Sequence, residues 1–398
     1  MRLLIVMANY PFPPLTGSSI IAYNSMKHLS SRHLIDLICL KPTTGIAESA
    51  EFVERVEFIT QKKKSKFSKA FCYLLHMLIG EPPLVSAFAS KTMTNRVKDV
   101  IKSGEFDAAL VFEMNAIQYF PSSSFYRLFV NIEDPQSIKL SRMARLSVWS
   151  LWQKTKLFML ARSTMRYENR ILHKMAKVFL LSKADIIDMQ KQGAYKNLAY
   201  VPYGVAQRDP PEIKNFENRE EAIVFSGNMF HPPNIDGGLF LLNEIFPLIL
   251  REYPSAILWI VGANPDSRIY ESAEGFGKQV VITGRVDDVT DFIKRARVSI
   301  CPVRLKVGVQ TKILEALSCG TPVVTTSAGN GGVGGMTGTH LWVEDDARLL
   351  AKRVCDLLRG RDWNKISNEG RRLVADHFTW EGSVAQLEHH LETIATIL

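Results

Sequence analysis

The chain is poor in the features that fix a small, secreted or membrane-spanning protein. Its five cysteines, Cys39, Cys72, Cys301, Cys319 and Cys355, are scattered over 398 residues, with no C-x-x-C pair and no histidine at metal spacing. That argues against a disulfide framework or a zinc site and for reduced thiols in the cytosol. The first segment, MRLLIVMANYPFPP, has too short an apolar run for a signal core, lacks a small-residue cleavage site and ends in prolines, so it is expected to be a buried strand. The next apolar stretch, FCYLLHMLIG at 71–80, has half the length a bilayer crossing needs, and no transmembrane helix is expected. There is no internal repeat, and no low-complexity tract apart from a glycine-rich loop, AGNGGVGGMTG at 328–338, which serves either ligand approach or simple flexibility.

What is present is the composition of a globular protein, with 46% apolar and 22% charged residues in a length suited to two domains. The net charge of +9 is unevenly placed. Residues 1–210 hold 29 Lys+Arg against 16 Asp+Glu, net +13, whereas the remainder holds 20 against 24, net −4. The excess directs the first half towards an anionic partner, a membrane surface or nucleic acid.

Short β-branched runs alternate with segments of helical period throughout, the pattern of βαβ units on a parallel sheet. Seven such runs fall in the first half, beginning with LLIVMA (3–8), and six in the second, beginning with AIVFSG (222–227). The expected fold is α/β, with two doubly wound sheets in succession. The polar, proline-bearing segment 206–221 is expected to link them.

The most informative stretch is LKVGVQTKILEALSCGTPVVTT, residues 305–326. A strand feeds a loop ending at Gly308, and the following segment has helical spacing. In open α/β sheets ligands bind beyond the carboxyl ends of strands, where helix N-termini present free N–H groups and partial positive charge. Gly308 allows close approach of a phosphate, Lys312 adds a point charge, and Glu315 is placed to grip ribose hydroxyls. On spacing alone, an ordinary surface Lys/Glu pair explains the same residues equally well.

This stretch resembles the signature of family 4 glycosyltransferases, retaining nucleotide-sugar enzymes of the GT-B fold, particularly those that build bacterial surface polysaccharides. Further matches follow in order over 222–390, among them FSGNMFHPPNIDGGLFLLNEIFP, ILWIVGANP and VVITGRVDDVTDFIKRARVSICPVR. The first half matches more loosely, through Gly17, VNIEDPQS and RYENRILHKMAKVFLLSKAD. The resemblance implies two Rossmann-like domains facing across a cleft. These would be an acceptor-side domain at 1–205 and a nucleotide-sugar domain at 222–375, with the terminal segment 376–398 crossing back to the first.

The resemblance assigns Glu315 to the ribose and Gly308, Val309 and Gln310 to the donor phosphates and sugar through backbone N–H groups. Two departures stand out. Many relatives carry a glutamate eight residues before Glu315, where this chain has Val307. The usual Arg/Lys diphosphate clamp after the first strand of the second domain is also missing: the loop GNMFHPPN, with Gly227, Asn228 and His231, holds neither. Arg304 and Lys312, which bracket the glycine loop, are the expected replacements, with Arg285 behind them.

In the first half, Gly17 and Ser18 are expected to contact a phosphate or an acceptor oxygen. Either Glu133 or Asp134 is placed to orient the acceptor hydroxyl or take its proton. Asp134 is favoured because Pro135 should turn its side chain outward; an Asp opening a turn before proline explains it equally well. The reaction that the resemblance implies relies on positioning and on stabilising diphosphate charge, with Lys312 in the catalytic role and no metal or other cofactor. The pairs Asp287–Asp288 and Asp345–Asp346 are expected to be structural turns.

Two basic stretches, 62–80 and 142–170, interleave aromatic and aliphatic residues with Lys and Arg. They suit an anionic membrane surface presenting a lipid-linked acceptor on the cytoplasmic face, or else are solvated helices packed on the core. No nucleic-acid module accompanies the charge, and nucleic acid is not an expected partner. The expected function is sugar transfer from a nucleotide diphosphate sugar to a polysaccharide or lipid-linked oligosaccharide. The alternatives are a nucleotide-sugar epimerase or hydrolase on the same fold, or a non-catalytic binding subunit.

Overall fold

The computed structural model describes residues 1–42, 51–60, 81–206, 215–306 and 308–395. The basic stretch 62–80, Val307 and half of the linker, 207–214, therefore lie outside the described residues. The chain divides into two compact units. The first comprises Met1–Ser141, Lys156–Gly204 and Trp380–Leu398; the second comprises Arg142–Thr155 and Val205–Thr379. Residues 142–155, from the basic stretch of the first half, thus belong to the second unit.

The first unit is built on a seven-stranded parallel sheet, in the order β3-β2-β1-β4-β5-β6-β7. Its strands are β1 (Arg2–Met7), β2 (Leu34–Leu40), β3 (Arg55–Ile59), β4 (Ala108–Val111), β5 (Leu128–Asn131), β6 (Lys177–Leu180) and β7 (Leu198–Tyr200). β1 and β4 read as unbroken apolar runs because helices cover both faces, so alternation would expose nothing to water. The helices that matter here are α1 (Gly17–Leu29), α2 (Lys91–Ser103), α3 (Gln136–Met143) and α4 (Leu151–Ile171). Strand order reverses between β1 and β4, which makes the gap beyond their carboxyl ends the natural ligand position.

The second unit carries a six-stranded parallel sheet, β10-β9-β8-β11-β12-β13. It comprises β8 (Glu220–Ser226), β9 (Ile257–Val261), β10 (Val280–Gly284), β11 (Ala296–Cys301), β12 (Val323–Thr325) and β13 (Trp342–Val343). Here the reversal falls between β8 and β11. Two helices flank it, α5 (Pro232–Phe240) after β8 and α6 (Thr311–Ser318) after β11. Gly204 and Val205 are the last residues of the first run and the first of the next, so the change of unit falls just before the expected linker.

The terminal helix α7 (Trp380–Ala395) packs in the first unit against α1. Trp380 stacks on Tyr203 at 5.2 Å, and Ser383 Oγ donates to the Pro202 carbonyl at 2.6 Å. Deeper in the contact, Glu388 accepts from His33 Nε2 at 2.7 Å and pairs with Arg32 at 2.6 Å. The His33 and Glu388 side chains are only 4% and 5% exposed, so removing one partner leaves the other desolvated. Among the described residues His33, Glu388 and Glu392 also form the group with metal-ligand spacing, but both oxygens of Glu388 are already held by Arg32 and His33. Glu388→Ala should lower folding stability by roughly 3 kcal/mol, the usual loss on breaking a buried pair. The urea midpoint checks this, with Glu388→Gln falling between the variant and the wild type.

Candidate functional site

In the second unit the residues after β8 and β11 converge on one lysine. Gly227 ends β8 with φ 144, a conformation that side chains rarely adopt, and a Cβ there would lie 3.0 Å from Lys312 Nζ and 2.8 Å from Asn234 Nδ2. Its carbonyl in turn passes so close to Gly262 that no side chain fits there either. The backbone is pinned by Gly227 N donating to the Val261 carbonyl at 3.0 Å, and Met229 N donating to that of Ala263 at 3.0 Å.

Asn234, buried on α5, ties the loop together: its Nδ2 donates to the Asn228 carbonyl at 2.9 Å and its Oδ1 accepts from Lys312 Nζ. The ammonium also lies 5.0 Å over the Phe225 ring. Burial lowers the Lys312 pKa, opposed by the charges of Cys301 and of Glu315 one turn further along α6. Among the described residues Lys312 forms no ion pair, so a cation is held in a poorly solvated place beside amide and ring groups. That arrangement favours an arriving anion.

The start of α6 adds to it. Gln310 occupies the N-cap position without a side-chain cap, and Ile313 N is the amide that turns back to the Gln310 carbonyl, at 2.9 Å. Gly308 has φ 55, and its carbonyl approaches Gly332 so closely that a Cβ would lie 2.1 Å away. The glycine-rich stretch 328–338 is thus packed against the chain at Gly308. Val309, Gln310 and Glu315 are half-buried.

Arg304, expected to share the phosphate with Lys312, is committed elsewhere. Its guanidinium makes two bonds, of 2.9 and 2.8 Å, to Asp236, whose side chain is only 3% exposed, and stacks on Phe240 at 4.6 Å. Ser147, from the segment 142–155, also donates to Asp236 at 3.3 Å. Burial of Asp236 makes this a structural pair, so Lys312 is the better-placed cation. Asn228, His231 and Arg285 are exposed; His231 occupies the N-cap of α5, and Arg285 follows Gly284 at the end of β10. Asp288 and Asp346 cap helices, and Asp345 accepts from Ser327 N at 2.9 Å and Ser327 Oγ at 2.6 Å.

At the carboxyl ends of β1, β4 and β5 in the first unit the polarity is reversed. Ser18 Oγ donates to Glu113 Oε1 at 3.1 Å, and a Cβ on Gly17 would lie 3.2 Å from Glu133 Oε2. Glu113 had no role in the sequence reading, and its other oxygen is buried without a partner. Gly17 and Ser18, expected to meet a phosphate at the start of α1, therefore face two carboxyl groups and no cation. Asp134 is not turned outward as Pro135 suggested: it is buried, accepts from Gln136 Nε2 at 2.7 Å and pairs with Lys139 at 3.2 Å. Glu133 instead takes the unusual backbone, with φ 60. Burial, reinforced by Asp134, pushes its pKa up to about 8, poising the carboxyl to exchange a proton near neutrality.

Comparison with known proteins bears on the fold. Residues 220–360 match the family described as Glycosyl transferases group 1. Solved structures similar to the whole chain include HepE of Anabaena in complex with UDP and glucose, at 14% identity, TM-score 0.67, covering 99% of this chain and 100% of that one. Others are sucrose-phosphate synthase of Thermosynechococcus elongatus, at 14% identity, TM-score 0.73 and full coverage of both chains, and WaaG, a glycosyltransferase of lipopolysaccharide biosynthesis, at 15% identity, TM-score 0.64 and 99% of both chains. The fold is that of the GT-B glycosyltransferases. An uncharacterised 44.6 kDa protein of the cps region of Klebsiella pneumoniae is 26% identical over 185 residues, 45% of this chain. The chain spans about half the length of that curated relative, 46%.

The raised Glu133 pKa has a definite sign. The folded state holds a proton that the unfolded chain, near 4.5, has released, so Glu133 makes stability fall as pH rises from about 4.5 through about 8. Buried Glu168, pushed up to about 7, acts in the same direction. Glu133→Gln should lie nearest the wild type in urea at pH 4 and exceed it by about 1 kcal/mol or more at pH 8.5. Parallel stability profiles at the two pH values would refute a proton held on Glu133.

Proposed function

We propose that the chain is a metal-independent, retaining glycosyltransferase that moves a sugar from a nucleotide diphosphate sugar to a polysaccharide or lipid-linked oligosaccharide. The observation that carries this reading is Lys312, held without an ion pair among the described residues at the switch point of the second sheet, beside Gly227 and the uncapped start of α6. The match of 220–360 to a glycosyltransferase family and the fold shared with HepE, whose structures hold UDP, support it.

In this reading Lys312 and the first amides of α6 receive the diphosphate, and charge building on the leaving phosphate is stabilised there. Glu315 receives the ribose hydroxyls and the Gly308–Gln310 backbone the donor. Glu133 orients the acceptor hydroxyl. The leaving phosphate or Glu133 takes the acceptor proton as the new glycosidic bond forms and the sugar–phosphate bond breaks.

The acceptor is delivered at an anionic membrane, on the cytoplasmic face. Supporting this, the apolar side chains Leu151, Trp152, Phe158 and Met159 of α4 are 83%, 72%, 56% and 51% exposed and alternate with Lys156 and Arg162. Among the described residues no helix is long and apolar enough to cross a membrane. Flotation with anionic vesicles should be strong at low salt and lost at high salt.

Calorimetry with UDP, GDP and ADP should reveal binding of one of them, and Glu315→Ala should weaken it by roughly 1–3 kcal/mol, the loss of a hydrogen bond to a charged group. Absence of binding by any nucleotide would leave a scaffold instead. Lys312→Met should reduce the same affinity while leaving the urea midpoint unchanged or raised, because a desolvated charge is removed. Mass spectrometry of an elongated acceptor separates transfer from epimerisation.

A further inference from the structure

A cavity lies in the first unit at the amino ends of the strands, the end opposite to Gly17, Glu113 and Glu133. It opens where α2 ends and β4 and β5 begin, and encloses about 320 Å³, the lower range for small-molecule sites. Its floor is apolar, formed by Val100, Phe106 and Ala109, and its rim carries Lys98, Lys102 and Arg127. No aspartate or glutamate lines it among the described residues.

Three features of this rim are unusual together. Lys98 and Lys102 stand one helical turn apart, a like-charge pair that weakens a helix. Arg127 has its Nε buried with no hydrogen-bond partner among the described residues, while its guanidinium lies 5.5 Å from the Tyr126 ring. A buried guanidinium donor lacking an acceptor is costly unless something supplies one. The favourable position of Lys102 at the helix C-terminus accounts for that lysine alone, not for Arg127.

We propose that this cavity binds an organic phosphate carrying a short apolar group, the phosphate bridging Arg127, Lys98 and Lys102 and the apolar group lying on Val100 and Phe106. The guanidinium supplies directed N–H donors and the lysines point charges. The apolar floor gives no support to inorganic phosphate, and the unpaired cations give none to a neutral alcohol. The same chemistry is offered by a soluble alkyl phosphate and by the head of an anionic phospholipid. The site does not depend on the transferase reading, since it shares no residue with the switch-point groups of either unit.

The test uses the full chain in excess UDP, which occupies any phosphate site at Lys312. Hexyl phosphate titrated by calorimetry should bind at one site, with inorganic phosphate and 1-hexanol each at least roughly tenfold weaker. Arg127→Gln and the double variant Lys98→Ala/Lys102→Ala should each weaken hexyl phosphate about tenfold. The exposed lysines provide a variant whose fold is not at issue, with circular dichroism as the check on both. Equal binding to wild type and both variants, equal binding of 1-hexanol, or no binding of hexyl phosphate would overturn the proposal. Flotation with phosphatidylglycerol vesicles then separates the sources. Loss of flotation in the double lysine variant assigns a lipid head, and unchanged flotation with weakened hexyl phosphate assigns a soluble ligand.

Discussion

A half-buried ammonium group that forms no ion pair among the described residues is the constraint around which the second unit is arranged. Lys312 reaches from α6 to the loop after β8, and each neighbour has the form its position demands. Gly227 has no side chain because one would strike the ammonium; Gly262 has none because the Gly227 carbonyl fills its place. Asn234 supplies a neutral oxygen where an aspartate would cancel the charge. Two residues along α5, Asp236 does cancel a charge, that of Arg304. The distinction between an amide at 234 and an acid at 236 separates a cation kept available from one used to hold the fold.

The first unit shows the complementary choice. Its switch point, between β1 and β4, is lined by Glu113 and Glu133, with Ser18 and Gly17 against them. Two sheets of the same topology thus present opposite charge at equivalent places. In the proposed reading a diphosphate suits the second, where Lys312 stands, better than the first, where Glu113 lies beside a Glu133 that keeps its proton near neutrality. A polyhydroxyl group has the reverse preference, because carboxyl oxygens accept from hydroxyls and a carboxyl near its pKa also donates. The net +13 of the first half is therefore not a property of its switch point; among the described residues part of that charge lies on α4 and around the α2 cavity.

Every one of the thirteen strand-like runs in the sequence became a strand, because a parallel sheet covered on both faces requires short apolar β-branched runs. The helix that carries Lys312 and Glu315, with Gly308 ahead of it, was equally legible as local structure, its parts lying within one short stretch. What the sequence did not display were partnerships between distant residues. Arg304 and Asp236 are 68 positions apart, and Ser18 and Glu113 are 95 apart. Nothing local marks either pair. Proximity in sequence also misled: Pro135 was expected to swing Asp134 outward, but Lys139 and Gln136 draw it in, and the left-handed turn falls on Glu133 instead.

The placement of residues 142–155 follows the same logic. Their composition suggested one continuous basic amphipathic stretch with 156–170, yet the segment clusters with the second unit through backbone and side-chain polar bonds. Arg142 donates to the Lys306 carbonyl, Ser147 to Asp236, and Arg268 to the Val148 carbonyl. Two of these bonds end on main-chain carbonyls, which every residue possesses, so no pattern of side chains announces them. One of the accepting carbonyls belongs to Lys306, two residues before Gly308. The segment therefore ties down one end of the glycine loop, and Gly332 receives the other through the close approach of the Gly308 carbonyl. In the proposed reading, a Gly308 held in one position is what stabilising a developing charge without reorganisation requires.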